Sequence, residues 1–145
     1  MNLRIFYDET GYRYKSWLKL KELLKEIISG SKMKPGELSI ILTNDDNLRR
    51  INVQFLEHDY FTDVITFNYN LNNEINGEIY ISMETVGNNA LNYNVSLYNE
   101  LTRVIIHGVL HLTGLNDKSE EELKLMRREE DRWLDLGKEK YGLRI

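Results

Sequence analysis

The sequence predicts an α+β fold in which a small mixed four-stranded sheet packs against helices. Short runs rich in β-branched residues alternate with longer segments whose apolar residues recur at helical spacing. The connections between these segments are short, and the chain contains neither an internal repeat nor a low-complexity linker. We therefore expect residues 1–145 to form a single domain around one core.

The N-terminal third of the chain predicts a strand, a helix and a second strand. Residues 3–7 alternate as a strand, and the apolar residues that follow recur at helical spacing between a capping Ser16 and a terminating Gly30. A turn is expected at residues 34–36, because they combine proline with glycine. Residues 38–42 then have the apolar character of a buried strand.

The middle of the chain predicts a second helix and two neighbouring strands. Residues 43–46 offer a helix cap. We expect this helix to bury three apolar side chains: Leu48, Ile51 and Phe55. Two β-rich runs follow at residues 63–67 and 78–82, and we expect them to pair. The asparagine-rich residues 68–77 between them are long enough for a mobile loop.

Three helices are expected in the C-terminal part of the chain. The first covers about residues 83–93. The second covers about residues 97–113 behind a capping Ser96, and it is apolar nearly all round, which predicts a central buried helix. Ser119 and Glu122 have the spacing of a capping box and mark the start of a last amphipathic helix.

The composition excludes several classes of protein. The absence of cysteine rules out disulfides and thiolate metal sites, so any metal must be held by nitrogen and oxygen. No segment has the apolar length of a membrane span, and the N-terminus lacks the features of a signal peptide, so we expect a cytoplasmic protein without a membrane partner. The net charge of −4 gives no general attraction to nucleic acid, and we expect no DNA partner.

Two histidines and one aspartate have the spacing of a metal site. His107 and His111 are four residues apart on a predicted helix, so both rings project from the same face. Gly114 can adopt the left-handed conformation that ends a helix and allows Asp117 to approach the same point. Three protein ligands leave a coordination position open for water, which is typical of a catalytic zinc site.

The alternative interpretation is a pair of buried core histidines beside a solvated aspartate. We favour the metal, with one zinc ion per chain, because two of the three histidines have ligand spacing. Zinc peptidases with a similar helix usually carry glutamate after the first histidine, where this chain has Gly108. The water held by the three ligands is then the expected catalytic group, and no separate base is assigned. The spacing alone does not distinguish a phosphoryl from an acyl substrate.

Three segments resemble the YbeY family of bacterial endoribonucleases. The family's mark is His-Gly-x-Leu-His-Leu-x-Gly followed by an acidic residue and a third histidine, and residues 107–114 match it in full. Residues 62–67, Thr-Asp-Val-Ile-Thr-Phe, are similar to a family strand Thr-Asp-Val-Leu-Ser-Phe. Residues 77–82, Gly-Glu-Ile-Tyr-Ile-Ser, are similar to Gly-Asp-Ile-x-Ile-Ser. The order of the segments also agrees, so the resemblance extends over the whole chain.

The resemblance implies a zinc-dependent single-strand endoribonuclease acting in ribosomal RNA maturation and ribosome quality control. Its expected partners are ribosomal RNA and the small ribosomal subunit or assembly proteins. Two other functions stay open. One is a ribosome-associated assembly factor with a mainly structural metal, and the other is a metal-dependent hydrolase of a peptide or small ester.

The chain departs from the family at two positions. Asp117 replaces the third histidine, and its negative charge is expected to make the metal less electrophilic. Leu56 occupies the place of an arginine that is implicated in RNA processing, and a leucine cannot bind phosphate. His58, in the same stretch, is a candidate substrate contact, with a surface turn residue as the alternative.

For other charged residues, a structural role is expected more strongly than a role in catalysis or RNA binding. Asp63 and Glu78 stand at strand ends, where carboxylates bond backbone amides more often than they take part in catalysis. Three arginines stand among three acidic residues in the stretch Arg127-Arg128-Glu129-Glu130-Asp131-Arg132, and we expect a solvated, salt-bridged helix face rather than a contact with RNA.

Overall fold

The computed structural model describes residues 2–56 and 62–145 and confirms the α+β class. The elements are β1 (Asn2–Tyr7), α1 (Trp17–Gly30), β2 (Lys34–Thr43), α2 (Asp45–Leu56), β3 (Val64–Asn68), β4 (Glu74–Ser82), α3 (Met83–Tyr93), α4 (Leu97–Leu112) and α5 (Glu120–Tyr141). None of the helices formed by these residues has both the length and the apolar character that a membrane span requires.

The sheet is mixed, with the strand order β1-β2-β4-β3. The first three strands in this order run parallel, and β3 pairs antiparallel with β4 at the edge. Val64 stands opposite Ile81, and Asn68 stands opposite Gly77. The two β-rich runs of the sequence are therefore neighbours, as predicted.

The asparagine-rich segment between these two strands differs from the expected mobile loop. β4 begins inside the segment, and the connection is a tight turn in which Asn72 and Asn73 have φ values of 51° and 67°. Asparagine tolerates this left-handed conformation better than most residues. The Asn70 side chain donates to the backbone carbonyl of Leu112 at 2.8 Å, which ties the turn to the end of α4.

The predicted turn at residues 34–36 is part of β2. The Lys34 N–H donates to the Asn73 carbonyl at 2.8 Å, so the strand has already begun. The pairing with β4 shifts register between Pro35 and Leu38, which is a bulge that accommodates a proline without an N–H. A Cβ at Gly36 would lie 2.3 Å from the Asn76 side-chain oxygen, so the bulge brings the two strands too close for any other residue.

α2 buries less apolar surface than its pattern predicts. Leu48 is buried and Ile51 is half-buried, but Phe55 is 60% exposed. The Phe55 ring packs edge-on against Phe67 of β3, with ring centroids 5.8 Å apart, and its other side faces solvent. Asn52, one turn after Leu48, takes the buried position instead.

The helix caps follow the sequence at three of the four predicted positions. Asn44, within the predicted cap at residues 43–46, accepts a hydrogen bond from the Asn47 N–H at 2.9 Å. Ser96 accepts a hydrogen bond from the Asn99 N–H at 2.9 Å. Ser119 and Glu122 form the reciprocal capping box, with bonds of 3.1 and 2.9 Å. Ser16 precedes α1, but its side chain makes no capping bond, because its backbone (φ −115°, ψ 48°) lacks the extended conformation of the other caps.

α4 is the central helix, as predicted. Its buried residues include Leu101, Val104, Ile105, Ile106, Val109, Leu110 and Leu112. The helix approaches β4 closely at Gly108, where an added Cβ would lie 2.9 Å from Ile79 Cδ1. Glycine at this position therefore permits the close packing of α4 on β4 next to His107.

Gly108→Ala is expected to lower the free energy of unfolding by about 1 to 3 kcal/mol, the usual cost of overpacking. Gly87→Ala in α3 is the matched control, because nothing lies within 4 Å of its added Cβ. That control is expected to gain up to about 1 kcal/mol from helix propensity. Urea unfolding followed by circular dichroism measures both variants. Equal shifts of the two would contradict close packing of α4 on β4.

Candidate metal centre

The C-terminal end of α4 and the turn that follows it bring three ligand atoms together. Asp117 Oδ2 lies 3.2 Å from His107 Nε2 and 3.1 Å from His111 Nε2. The chain reverses at Gly114, whose φ of +111° suits glycine alone, and its N–H donates to the His111 carbonyl at 3.0 Å. The structure thus brings together the three residues that the sequence singled out as metal ligands.

The other ring nitrogen of each histidine is held by an acceptor. His107 Nδ1–H donates to Glu130 Oε2 at 2.7 Å, and His111 Nδ1–H donates to the Leu115 carbonyl at 2.9 Å. A carbonyl or a carboxylate only accepts, so both Nδ1 atoms carry a proton, and in the neutral form of each ring the Nε2 atom presents a lone pair. Acceptors of this kind commonly orient metal-binding histidines.

The ligand atoms fit a divalent cation. The Asp117 carboxylate oxygen lies 3.1 to 3.2 Å from both Nε2 atoms, an arrangement that requires either a proton on the rings or a cation between the three atoms. Tetrahedral ligands at about 2.0 to 2.1 Å from zinc lie about 3.4 Å apart, close to these separations. Within the described ranges 2–56 and 62–145, this is the group of histidine and acidic side chains whose ligand atoms all lie within 4.8 Å.

Glu130 is a site residue that the sequence interpretation missed. It was expected on a solvated face, but it is only 4% exposed and bonds His107, Arg103 and Arg127 at 2.7, 2.9 and 3.2 Å. A signal was present in the sequence. Glu130 follows Met126 by four residues, so it belongs to the buried stripe of an otherwise polar helix. A carboxylate in that position needs a partner inside the protein.

The charges around the site shift the pKa values of several groups. Burial acts to lower the pKa of His107, but the hydrogen bond and charge of Glu130, followed by the charge of Asp117, outweigh it and raise the pKa. Burial acts to raise the pKa of Glu130, but its bonds to His107 and Arg103 hold the pKa below its ordinary value. Burial raises the pKa of Asp63. The site is therefore an anionic environment that stabilises a positive charge at the rings.

Two pockets meet at the metal ligands. The larger, of about 670 Å³, is lined by all three ligands together with Leu56 and Lys118. We call it the outer pocket. The smaller, of about 230 Å³, lies between α3, α4 and α5 and is called here the inner pocket. Both are lined by His107 and Asp117, so a ligand bound at the metal centre has access to each of them.

The other residues singled out in the sequence differ in whether they line the two pockets. Asp63 lines both pockets. Glu78 lines neither, and instead accepts hydrogen bonds from the Tyr69 and Tyr80 hydroxyls at 3.0 and 3.1 Å. His58, the candidate substrate contact, lies outside the described residues. On α5, Arg132 pairs with Glu129 at 2.9 Å on the surface, as the solvated-face interpretation predicts.

Comparisons with known proteins agree with the geometry. The sequence model of the family described as Endoribonuclease YbeY matches residues 8–137. The chain is 40% identical over 126 residues to the Endoribonuclease YbeY of Flavobacterium johnsoniae, covering 87% of this chain and 91% of that protein. It is 46% identical over 129 residues to the Endoribonuclease YbeY of Flavobacterium psychrophilum, covering 89% and 86%. The solution structure of TM1509 from Thermotoga maritima superimposes with a TM-score of 0.67 at 30% identity, covering 92% of this chain and 89% of that one.

Proposed function

The chain belongs to the YbeY endoribonuclease family, and on that basis we propose that it is a zinc-dependent enzyme that cleaves single-stranded RNA during ribosomal RNA maturation and quality control. Membership makes it a metal-dependent endoribonuclease, a hydrolase of phosphodiester bonds. The observation that carries the proposal is the convergence of His107, His111 and Asp117 at the junction of two pockets.

The residues at the centre divide into metal ligands and groups that hold the ligands. His107, His111 and Asp117 supply two imidazole nitrogens and one carboxylate oxygen, a donor set that zinc accepts. A bound zinc ion would polarise a phosphoryl oxygen and lower the pKa of a water molecule toward neutrality. Glu130 and the Leu115 carbonyl fix the two rings, so the Nε2 atoms keep their direction through the reaction.

The outer pocket has features that suit a single RNA strand. Lys118, in its wall, places a cation next to the metal ligands, where a phosphate of the substrate lies. Exposed aromatic side chains adjoin two other lining residues: Phe55 precedes Leu56, and Tyr69 follows Asn68. Aromatic rings beside a cation are the usual means of holding unpaired bases. These features support single-stranded RNA over duplex RNA as the substrate.

Leu56 supports a second candidate function, a ribosome-associated assembly factor with a mainly structural metal. Its side chain is 41% exposed and lines the outer pocket with the metal ligands. An apolar side chain at this place cannot contact a phosphate, which removes one source of substrate affinity. The other rival, a peptide or ester hydrolase, lacks the glutamate that zinc peptidases place after the first histidine, because Gly108 stands there.

Leu56→Arg is expected to strengthen binding of single-stranded RNA, because the guanidinium would reach a phosphate from the wall of the outer pocket. The slope of log affinity against log salt concentration should become more negative by about 0.7, the value for one added phosphate contact. Fluorescence anisotropy over a salt series measures the slope. Leu56→Gln is the control, since it is polar and of similar length but uncharged. An unchanged slope in Leu56→Arg would show that the RNA backbone does not contact the wall of the outer pocket at residue 56.

The proposed function is tested by offering the zinc-loaded protein one sequence as single-stranded RNA, duplex RNA and single-stranded DNA, with an ester and a peptide as further substrates. We expect endonucleolytic cleavage of the single-stranded RNA alone, and complete loss of that cleavage after chelation of the metal. Cleavage of the ester or peptide without cleavage of RNA would reverse the assignment. Cleavage that persists in excess chelator would remove the metal from the mechanism.

A further inference from the structure

The inner pocket extends from the metal centre along α4. His107 and Asp117 line one end, and Glu100 and Tyr93 line the other. Glu100 and His107 are seven residues apart on the same face of the helix, so about 10 Å, or two turns, separates them along its axis. The volume of about 230 Å³ exceeds the cavity of about 150 Å³ that is known to hold benzene in another protein. The pocket is therefore large enough for a heterocyclic base.

Glu100 is a buried carboxylate without a donor. Its residue is only 4% exposed, and among residues 2–56 and 62–145 no group donates a hydrogen bond to its side chain or forms an ion pair with it. Burial raises the pKa of the Glu100 carboxyl, against the charges of Arg103 and Arg127, which act to lower it. Its oxygens open on the inner pocket rather than being enclosed by protein, so a ligand bound there can supply the donors that the described residues do not.

Arg103 adds a hydrogen-bond donor to the wall of the inner pocket next to Glu100. It lies one turn after Glu100 on α4 and lines the same pocket. Its guanidinium is fixed by Glu130 at 2.9 Å and by Asp131 at 2.6 Å, which uses two of its five N–H donors. The pocket wall thus presents the carboxylate of Glu100 beside a guanidinium that two ion pairs hold in place.

We propose that the inner pocket binds a guanine base of the RNA strand, in the nucleotide next to the phosphodiester at the metal centre. Glu100 accepts hydrogen bonds from N1–H and N2–H of the base, and Arg103 donates to O6. Tyr93, 59% exposed at the mouth of the pocket, stacks on the ring. This inference rests on the proposed function, since it assigns a sequence preference to the same endoribonuclease.

The side chains of the pocket wall favour guanine over a phosphate group, uracil or adenine. A carboxylate repels a phosphate, so the RNA backbone does not enter this end of the pocket. Guanine has an acceptor followed by two donors on its Watson–Crick edge, which complements an arginine beside a carboxylate. Uracil offers a single N–H between two carbonyl groups, and adenine has an acceptor at N1. Both leave an oxygen of Glu100 without a donor.

The test compares equilibrium binding of three labelled strands that differ only at the central nucleotide. Each is an oligouridine, and its central nucleotide is guanosine, adenosine or uridine. Binding to the zinc-loaded protein is measured by fluorescence anisotropy at low temperature, which limits cleavage. Gel electrophoresis afterwards verifies that each strand is intact. We expect the guanosine strand to bind at least about tenfold more tightly, the discrimination typical of a bidentate contact. No preference for guanosine in the wild-type protein would overturn the inference.

Glu100→Gln is the decisive variant. Glutamine has nearly the same shape and removes a buried charge, so the fold is retained, and thermal unfolding checks this. The guanosine preference should disappear, because the amide cannot accept from both N–H groups. Glu121→Gln, on the exposed first turn of α5, should keep it. A preference that survives Glu100→Gln contradicts the inference. Cleavage by the same preparations tests the proposed function separately, because binding preference and cleavage are measured independently.

Discussion

Replacing His111 by alanine is expected to abolish zinc binding and to lower RNA cleavage by at least about 10³-fold. The reason is that His111 Nε2 is one of three converging ligand atoms, and two ligands do not hold the ion. Loss of the metal removes several kcal/mol of transition-state stabilisation, and each 1.4 kcal/mol corresponds to about tenfold in rate. Metal content by mass spectrometry of the native protein and single-turnover cleavage measure the two effects.

A parallel variant, Asp117→Asn, tests the third ligand. Its control is Asp135→Asn, because Asp135 is an exposed carboxylate on α5 outside both pockets. It should retain metal and activity, and Asp117→Asn should lose metal. Both ligand variants are also introduced into cells that lack the endogenous protein. If both variants lose zinc but restore mature ribosomal RNA ends, catalysis at this site is excluded. Full zinc affinity in Asp117→Asn would mean that the third ligand is a different group.

Replacing Glu130 by glutamine is expected to lower metal affinity by about 10- to 100-fold, the usual effect of removing an acceptor behind a metal ligand. Glu130 accepts from His107 Nδ1–H at 2.7 Å and also pairs with Arg103 and Arg127. A neutral amide loses the charge that makes the imidazole more basic and that fixes its orientation. Zinc competition with a chromophoric chelator measures the affinity.

Glu129→Gln is the matched control, one residue away on the same helix. Glu129 pairs with Arg132 on the surface, where ion pairs contribute little. This variant should bind zinc as the wild type does. Equal losses in the two variants would point to a general effect of charge on α5. Unchanged affinity in Glu130→Gln would show that His107 needs no partner at Nδ1.

The sequence predicts α4 and the convergence of His107, His111 and Asp117 well because the relations involved are local. His107 and His111 share a face through helical periodicity alone, and Gly114 allows the reversal that carries Asp117 to them. The apolar pattern of α4 likewise identifies a central helix without knowledge of its neighbours. The pairing of the two β-rich runs follows from their proximity along the chain.

The sequence is less informative where the partner lies far along the chain. Glu130 stands 23 residues after His107, and its neighbours Glu129 and Asp131 carry the same charge, so its burial depends on how α5 packs against α4. The segment between β3 and β4 was expected to be a mobile loop, but it forms a tight turn whose Asn70 side chain donates to the Leu112 carbonyl of α4. Phe55 has helical spacing with Leu48, yet it packs edge-on against Phe67 of β3 and stays 60% exposed.

Titration of zinc into metal-free protein, with zinc binding and RNA cleavage followed together, tests the metal centre most directly. We predict that cleavage is absent at the start, rises in proportion to bound zinc and levels off at one ion per chain, and that His111→Ala shows neither response. Cleavage that is complete before zinc is added, or that appears only after a second ion binds, would contradict a single catalytic metal held by His107, His111 and Asp117.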